Sequence, residues 1–268
     1  MLLAVDCGNT NIVFALYEGD SQQANWRIST DPKRSADEYL VWLTQLMALR
    51  NVAVDELSDM IIASVVPEVQ PKLISLARRG LNLIPQVIGN EDIDLGIEIN
   101  IDQPNQAGAD RLVNAVAARD LYDLPAIILD FGTATTFDLV GRCGSYEGGI
   151  IAPGVNLSVE ALYLAAARLP RLAVEPWEAD MPILGKDTVS AMHSGIFWGY
   201  VSMVEGLIGR LRRDYGASLP VIATGGLAPL FANHVASISV VDPDLTLKGL
   251  VRIHTQNKRK DHRKKTKN

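Results

Sequence analysis

The sequence predicts an α/β protein built from two duplicated halves, with a ligand cleft between the two domains. Segments with strand-like and helix-like patterns alternate along the chain, which is typical of this class. A short acidic turn motif also occurs twice, each time after a buried strand, and it begins at Asp6 and at Asp130. Because each copy opens one half of the chain, the pattern favours a duplicated domain.

The first half begins with a hairpin pattern. Leu2–Val5 and Ile12–Tyr17 are apolar runs on either side of a turn-forming segment, residues 8–11. Met60–Val66 is a further apolar run, which predicts a buried strand that ends at Pro67. Apolar residues at helical spacing predict helices over Ala36–Arg50, Pro71–Arg79 and Asp110–Tyr122.

The second half repeats this order. Ala126–Leu129 and Thr136–Val140 predict strands on either side of a Gly/Thr turn, and Pro220–Ala223 predicts a last buried strand. Helical spacing predicts helices over Leu157–Arg168 and Thr188–Arg213. We therefore predict an N-terminal domain over residues 1–115, a C-terminal domain over residues 116–255 and a disordered basic tail over residues 256–268.

The helix predicted over Thr188–Arg213 has a feature of its own. Its apolar residues recur at spacings of three and four, and small residues lie between them, namely Gly195, Gly199, Gly206 and Gly209. Glycines on a helix permit the close approach of another helix. Packing in the core of one chain and a seam between two copies explain this pattern equally well.

The charge distribution argues against nucleic-acid binding. The formal net charge is −6, but residues 258–268 contain seven Lys or Arg and one Asp, so residues 1–257 carry a net charge of −12. Non-specific binding to nucleic acid depends on neutralising phosphates, which an acidic body does poorly. We expect the basic tail to be solvated.

The sequence also predicts a cytoplasmic protein without a membrane segment. The N-terminus has no basic region, and Asp6 interrupts its apolar run, so it does not resemble a signal peptide. The uncharged stretch Thr188–Val204 is too short and too polar to cross a membrane. Cys7 and Cys143 have no CxxC spacing, so we expect neither a disulfide framework nor a thiolate zinc site.

The repeated motif has a chemical rationale. The two copies are Asp6-Cys7-Gly8-Asn9-Thr10-Asn11 and Asp130-Phe131-Gly132-Thr133-Ala134-Thr135. Glycine lets the backbone turn tightly and lets a phosphate approach, and successive backbone N–H groups in such a turn form an anion site. An aspartate can hold Mg²⁺ directly or through its waters, and Mg²⁺ bridges carboxylates to phosphates. Two such turns are able to enclose the phosphates of one ATP.

Other interpretations have less support. A single Asp-x-Gly is more often an ordinary hairpin turn, but two copies, each heading one half of the chain, favour nucleotide binding. The chain has no GxxxxGK[ST], GxGxxG, HExxH or GxSxG motif, which removes the main support for P-loop, Rossmann, metalloprotease and α/β-hydrolase functions. The four histidines form no recognisable constellation.

Beside the two acidic turns, four stretches resemble one family. They are, in order, Gly108-Ala109-Asp110-Arg111, Gly148–Gly154, Asp187-Thr188 and Ala223–Gly226. With the turns, they make the chain similar to type III pantothenate kinases, which belong to the acetate/sugar kinase–actin–chaperone superfamily. The ordered set is specific and covers residues 1 to about 255, which is the whole chain except its basic tail.

The resemblance implies a fold, an activity and cofactors. The fold is two ribonuclease H-like (actin-like ATPase) domains, and the activity is ATP-dependent phosphorylation of pantothenate, the first step of coenzyme A biosynthesis. The resemblance also implies a cytoplasmic homodimer that needs Mg²⁺ and a monovalent cation, K⁺ or NH₄⁺. Neither nucleic acid nor a membrane is an expected partner.

The resemblance assigns roles to particular residues. Asp6 to Val13 would contact ATP, with Asp6 also serving Mg²⁺ through water, and Thr133 would contact the phosphates. Asp130 would coordinate the monovalent cation. The residues expected to contact ATP are Asp6, Cys7, Gly8, Asn9, Thr10, Asn11, Ile12, Val13 and Thr133. Those expected to contact pantothenate are Ile101, Gly108, Ala109, Asp110, Arg111 and Thr188, with Asp110 as the catalytic base.

Elementary chemistry agrees with these roles without requiring them. Phosphoryl transfer needs positioning, charge neutralisation and a base near the attacking hydroxyl. Asp110 at a helix start suits the role of base, although a plain helix cap is a common alternative. Arg111 can bind a carboxylate as a planar fork, or form a surface ion pair. Gly225-Gly226 can pass beneath an adenine ring, or form an ordinary tight turn.

One position departs from the family pattern, and two other functions remain open. The family often has an aromatic residue seven positions before the glycine of the Gly108–Arg111 segment, where this chain has Ile101. An aliphatic side chain still lines an apolar wall there. The alternatives are another small-acid kinase or an exopolyphosphatase on the same fold, and a regulator that binds nucleotide without turnover. Intact Asp6, Asp110 and Asp130 argue against the regulator.

Overall fold

The computed structural model describes residues 1–166 and 168–265, which form two five-stranded sheets with helices packed on them. The strands are β1 (Leu2–Cys7), β2 (Asn11–Glu18), β3 (Ser21–Ser29), β4 (Asp59–Ser64), β5 (Gln86–Val87), β6 (Ala126–Phe131), β7 (Ala134–Val140), β8 (Tyr146–Pro153), β9 (Val221–Thr224) and β10 (Val240–Val241). The helices are α1 (Ala36–Ala48), α2 (Gln70–Ser75), α3 (Ala109–Leu121), α4 (Val155–Ala165), α5 (Thr188–Tyr215), α6 (Ala228–Phe231) and α7 (Leu245–Lys265).

The first sheet has the strand order β3-β2-β1-β4-β5. Strand β1 runs antiparallel to β2 and parallel to β4, and Asp6 pairs in register with Val13 and with Ala63. Alternate residues of β1 enter two different apolar clusters: Leu3 lies in one, and Ala4 lies in the other. Because both faces of β1 are covered, its sequence is a continuous apolar run rather than an alternating one.

Helix α1 covers one face of this sheet. The Ser35 hydroxyl accepts the Glu38 N–H at 3.2 Å, and the Glu38 carboxylate accepts the Ser35 N–H at 2.7 Å. This reciprocal capping box fixes where the helix begins. Its buried residues, Tyr39, Leu43 and Met47, recur every four positions and face the sheet.

The second sheet repeats the first. Its strand order is β10-β9-β6-β7-β8, with β6 antiparallel to β7 and parallel to β9. The central strand β6 therefore occupies the place that β1 has in the first sheet, and Asp130 pairs in register with Thr136 and Thr224. The predicted duplication is confirmed at the level of strand order, direction and the position of the aspartate.

Six elements have no counterpart in the prediction: the short β5, β10 and α6, and the longer β3, β8 and α7. Strand β3 is polar and exposed along much of its length, so its sequence has no apolar run that would predict a strand. Strand β8 contains Gly148 and Gly149, which have little intrinsic preference for strands, and it forms because it pairs with β7. The first part of helix α7 is buried in the cluster that also contains Val113 and Val116 of α3, so tertiary packing stabilises it.

The helix predicted over Leu157–Arg168 is α4, which begins at Val155 and ends at Ala165. Gly154 directly precedes it, and residue 167 of the predicted span lies outside the described residues. Within residues 1–166 and 168–265, no helix combines the length and the apolar character needed to cross a membrane.

The chain divides into two compact units. The first contains residues 1–98, 102–121 and the chain from Asp244 onward, and the second contains residues 99–101 and 122–243. The predicted domain boundary at 115/116 therefore falls inside α3, and residues 244–255 belong to the first unit, because α7 packs on the face of the first sheet.

The predicted disordered tail, residues 256–268, also differs from the structure, because α7 continues through Lys265. Lys258 Nζ lies 2.7 Å from an Asp59 carboxylate oxygen, and the Asn257 side-chain amide donates to the carbonyl of Asp94 at 2.9 Å. These contacts hold the start of the tail against the first unit. Residues 266–268 lie outside the described residues.

Candidate active site

The first acidic turn joins β1 to β2. Asp6 is half-buried near the end of β1, and the Gly8 N–H donates to the Asn11 carbonyl at 3.0 Å across the turn. Thr30 anchors the turn from outside: its hydroxyl donates to the Gly8 carbonyl at 2.6 Å, and its N–H donates to the Thr10 carbonyl at 2.9 Å. The turn is therefore held by hydrogen bonds on both sides, and Asn9 and Thr10 lie exposed at its tip.

Two of the residues predicted to contact ATP are buried. Cys7 is 1% exposed and Ile12 is fully buried, so only their backbone groups are available to a ligand. Burial raises the pKa of the Cys7 thiol, and the neighbouring Asp6 carboxylate raises it further, against a hydrogen bond with Ser64 that lowers it. The Cys7 thiol therefore stays protonated and serves in packing. Val13, the last residue of the predicted ATP contact, is half-buried.

Asp110 lies in the first turn of α3, as its second residue. The preceding Gly108 accepts the Leu112 N–H at 3.2 Å, so Gly108, not Asp110, opens the helix. One carboxylate oxygen of Asp110 accepts the Arg111 N–H at 2.8 Å. A Cβ atom on residue 108 would lie 2.6 Å from that oxygen, so a larger residue there would require the Asp110 carboxylate to shift.

Within the first unit, the start of α3 and the strands next to the first acidic turn pack against one apolar cluster. Ala109, the first residue of α3, packs against the apolar cluster that contains Ala63, and Val13 packs against the same cluster. Ala63 and Val13 are the register partners of Asp6 on the two neighbouring strands. The start of α3 therefore packs against the same apolar cluster as the two register partners of Asp6.

The second acidic turn has the same design and is one residue shorter. Asp130 is half-buried near the end of β6, and the Gly132 N–H donates to the Ala134 carbonyl at 3.1 Å. Gly132 and Thr133 lie exposed at the tip. The exposed threonine hydroxyl can donate to a phosphate, as predicted for Thr133.

Two glycines from other elements contact this turn. A Cβ atom on Gly154 would lie 2.2 Å from the Thr133 carbonyl oxygen, so the start of α4 packs directly on the turn. Gly225, after β9, has φ +89°, and a Cβ atom there would lie 2.4 Å from Oδ1 of Asp130. Only glycine fits at residue 225, because any side chain would be strained and would fill the space beside the carboxylate.

The surroundings of Asp130 are compatible with a cation held by oxygen atoms. Gly225 places no side chain beside the Asp130 carboxylate, which is itself an oxygen donor. Oxygen ligands of this kind suit hard cations. Over the described part of the chain, no three His, Cys, Asp or Glu side chains converge as a cluster that could hold a metal ion.

Thr188 is the first residue of α5 and is exposed. Asp187 caps the helix by accepting the Ser190 N–H at 2.9 Å, and this backbone hydrogen bond lowers the pKa of the Asp187 carboxyl. Thr188 lines a pocket of about 730 Å³ in the second unit, between α4 and α5. The other walls are mostly apolar and include Leu162, Ile196 and Tyr200.

Ile101 packs on β8 in the second unit. The neighbouring Asn100 N–H donates to the Tyr146 carbonyl at 2.8 Å, which holds this segment beside the strand. A Cβ atom on Gly148 would lie 3.4 Å from Cγ2 of Ile101, so the isoleucine covers a glycine. Ile101 is half-buried at this place on β8.

The predicted site residues thus divide between the units. Asp6 to Val13 and Gly108 to Arg111 belong to the first unit, and Ile101, Asp130, Thr133 and Thr188 belong to the second. The prediction missed Tyr200, whose hydroxyl bonds to Thr135 at the base of the second turn. The sequence prediction also did not include the contact between Gly225 and Asp130. No local sequence signal marks either contact, because both join segments far apart in the chain.

Comparison with known proteins identifies the family. A sequence model of type III pantothenate kinases matches residues 2–210. A type III pantothenate kinase from Paramagnetospirillum magneticum is 53% identical over 257 residues, which are 96% of this chain and 98% of that relative.

Solved structures show the same fold. A Campylobacter jejuni protein described as a Baf family transcriptional activator has a TM-score of 0.60 at 18% identity and covers 96% of this chain and 99% of its own. An inorganic polyphosphate/ATP-glucomannokinase from Arthrobacter has a TM-score of 0.50 at 13% identity, with 95% and 98% covered. These likenesses and the repeated sheets confirm the prediction of two ribonuclease H-like domains. The identity over nearly the full length of both chains shows that this chain belongs to the type III pantothenate kinase family.

Proposed function

We propose that this chain transfers the γ-phosphoryl group of ATP to pantothenate, which gives 4′-phosphopantothenate and ADP. The observation that carries the proposal is the 53% identity to a type III pantothenate kinase over nearly all of both chains. The reaction opens coenzyme A biosynthesis and consumes ATP, so we expect the enzyme in the cytoplasm.

Asp110 is the proposed base. The primary hydroxyl of pantothenate loses its proton to the Asp110 carboxylate while its oxygen attacks the γ-phosphorus. The bond from that phosphorus to the bridging oxygen breaks, and ADP leaves. The position of Asp110 in the first turn of α3 supports this role, because helix-start N–H groups favour a carboxylate there. Arg111 is the proposed partner of the pantothenate carboxylate.

The two acidic turns are the proposed nucleotide contacts. Asn9, Thr10 and Thr133 are exposed at the turn tips, where their side chains can donate to phosphate oxygens. Asp6 would hold Mg²⁺ through water, and Asp130 would hold K⁺ or NH₄⁺ beside Gly225. Both cations supply positive charge that offsets the charge of the phosphates.

An assay of ADP and phosphate release tests this function against the alternatives. We expect ADP release with Mg²⁺·ATP and K⁺ only when pantothenate is present, because phosphoryl transfer needs the acceptor hydroxyl. A panel of other hydroxy acids and polyphosphate serves as the control. Release of inorganic phosphate without an acceptor would favour a phosphatase, and nucleotide binding without turnover on any acceptor would favour a regulator.

We further propose that the chain is a homodimer joined through α4 and α5. The apolar stripe of α5, which includes Phe197 and Val204, is buried in the second unit, so the core explains that stripe. A Cβ atom on each of its four glycines would have no neighbour within 4 Å among the described residues. Those glycines are Gly195, Gly199, Gly206 and Gly209.

Exposed apolar residues also lie in or just before these two helices. Leu164 in α4 is 72% exposed, and Leu184, shortly before α5, is 76% exposed. Large apolar side chains that cluster on a surface mark an interaction site. A second copy that packs its own α5 on the four glycines would cover them.

Light scattering of the purified chain tests the dimer. We expect twice the mass of one chain, and we expect Gly199→Arg to give the single-chain mass because the new side chain blocks close approach. Val41→Arg, at an exposed apolar position on α1, is the matched control and should stay dimeric. A single-chain mass for the wild type, or no effect of Gly199→Arg, would contradict the proposal.

A further inference from the structure

We infer that Tyr200 is a positioning residue that holds the second acidic turn in place through Thr135. The inference rests on the proposed role of this turn in nucleotide binding. It assigns a function to a residue that lies in α5, outside every motif of the sequence, and that contacts the turn only at its base.

The contact between the two residues is buried and polar. Tyr200 is 6% exposed, Thr135 is fully buried, and their hydroxyl groups are joined by a hydrogen bond. Thr135 pairs in register with Phe131, and this is the last register pair of β6 and β7 before the turn. A displacement of Thr135 would therefore move Thr133, two residues away at the tip.

Aromatic packing fixes the Tyr200 ring against the same strand end. The ring centroid lies 6.0 Å from that of Phe131 and 4.7 Å from that of Phe231 in α6. With the ring held on two sides, the hydroxyl has little freedom to leave Thr135. Tyr200 thus ties the long helix α5 to the base of the turn.

Electrostatics keeps the hydroxyl neutral. Burial raises the pKa of Tyr200 to about 12, and the Asp130 carboxylate raises it, whereas the hydrogen bond with Thr135 lowers it. Near neutral pH the phenol therefore retains its proton. Its contribution to the turn is a hydrogen bond rather than a charge.

The first unit shows what the same place looks like without this pair. Ile12 pairs with Cys7 as Thr135 pairs with Phe131, so an isoleucine occupies the position of the threonine. Tyr39 of α1 is fully buried in the core beneath β1 and β2, and its hydroxyl interacts with the Arg34 side chain rather than with a residue of the turn.

The two turns therefore have different supports. The first is anchored from outside by Thr30, through bonds to Gly8 and Thr10. The second is anchored from beneath by the Tyr200–Thr135 pair. Tyr39 and Tyr200 are both buried, but of these two only the Tyr200 hydroxyl bonds to a residue next to an acidic turn, so that hydroxyl has a role which packing alone does not explain.

The test compares the dissociation constant of a non-hydrolysable ATP analogue, measured by calorimetry, with KM for ATP and kcat. We expect Tyr200→Phe and Thr135→Val each to raise the dissociation constant and KM about three- to tenfold, the effect of one hydrogen bond. We expect kcat to change less than the dissociation constant and KM. The double variant should be no worse than either single variant, because both remove one interaction. Thr135→Ser, which keeps the hydroxyl, should restore binding.

Tyr39→Phe is the matched control, since it removes a buried tyrosine hydroxyl that supports no turn, and its kinetic constants should equal those of the wild type. Thermal melting of every variant separates loss of folding from loss of positioning. Unchanged binding in Tyr200→Phe, or an equal change in Tyr39→Phe, would overturn the inference if Thr133→Ala still weakens analogue binding. If Thr133→Ala has no effect either, the proposed nucleotide role of the turn fails, and the inference falls with it.

Discussion

Replacing Asp110 with Asn is expected to lower kcat for pantothenate phosphorylation by roughly 10²- to 10⁴-fold, the usual contribution of a positioned base. Asparagine has the same shape and retains a side-chain oxygen that can accept the Arg111 N–H, so the start of α3 should stay intact. The amide cannot take the proton of the attacking hydroxyl. Binding of ATP should stay close to the wild-type value, because the nucleotide contacts are assigned to the two turns.

The measurement is ADP release in a coupled assay, together with calorimetric binding of an ATP analogue. Asp55→Asn, at an exposed position, is the control for the loss of one negative charge. Full turnover by Asp110→Asn would defeat the assignment of the base. Loss of nucleotide binding together with turnover would mean that Asp110 supports the site rather than the proton transfer.

Replacing K⁺ with Na⁺ is expected to lower the rate of the wild type by about tenfold or more, which corresponds to about 1.4 kcal/mol of transition-state stabilisation. In the proposed role, the cation lies beside Asp130, where Gly225 contributes no side chain, and we expect the protein to distinguish K⁺ from Na⁺ by size. Asp130→Asn removes the charge that holds the cation. That variant should be slow in both salts, and its rates in K⁺ and Na⁺ should be nearly equal.

The diagnostic quantity is the ratio of the two rates, measured at constant ionic strength. Asp123 is exposed and lies close to Asp130 in sequence, so Asp123→Asn is the control and should keep the wild-type ratio. A wild-type rate that is indifferent to the exchange, or an Asp130→Asn ratio equal to that of the wild type, would remove Asp130 from this role.

The sequence predicts the central elements of the fold well, because they have strong local signals. Strands β1 and β6 are covered on both faces and so are continuous apolar runs, and helix α1 has a capping box followed by a regular apolar stripe. The edge strands β3 and β8 escape prediction, because pairing with a neighbour rather than apolar content forms them. Helix α7 owes its first part to burial beside α3.

The site is predictable to the same degree. Both acidic turns and the Gly108–Arg111 segment are local motifs, and the start of α3 packs against the same apolar cluster as Val13 and Ala63, the register partners of Asp6. Contacts between distant segments are not predictable in this way. Gly225 beside Asp130, and Tyr200 beneath Thr135, depend on which residues the fold places together.

The most direct test of the central claim is the product formed by the wild-type chain from Mg²⁺·ATP and pantothenate in K⁺, analysed by mass spectrometry. The account predicts one phosphopantothenate for each ADP, and almost none of either with Asp110→Asn. Phosphate released into water in place of phosphopantothenate, or ADP formed at the same rate without pantothenate, would contradict it.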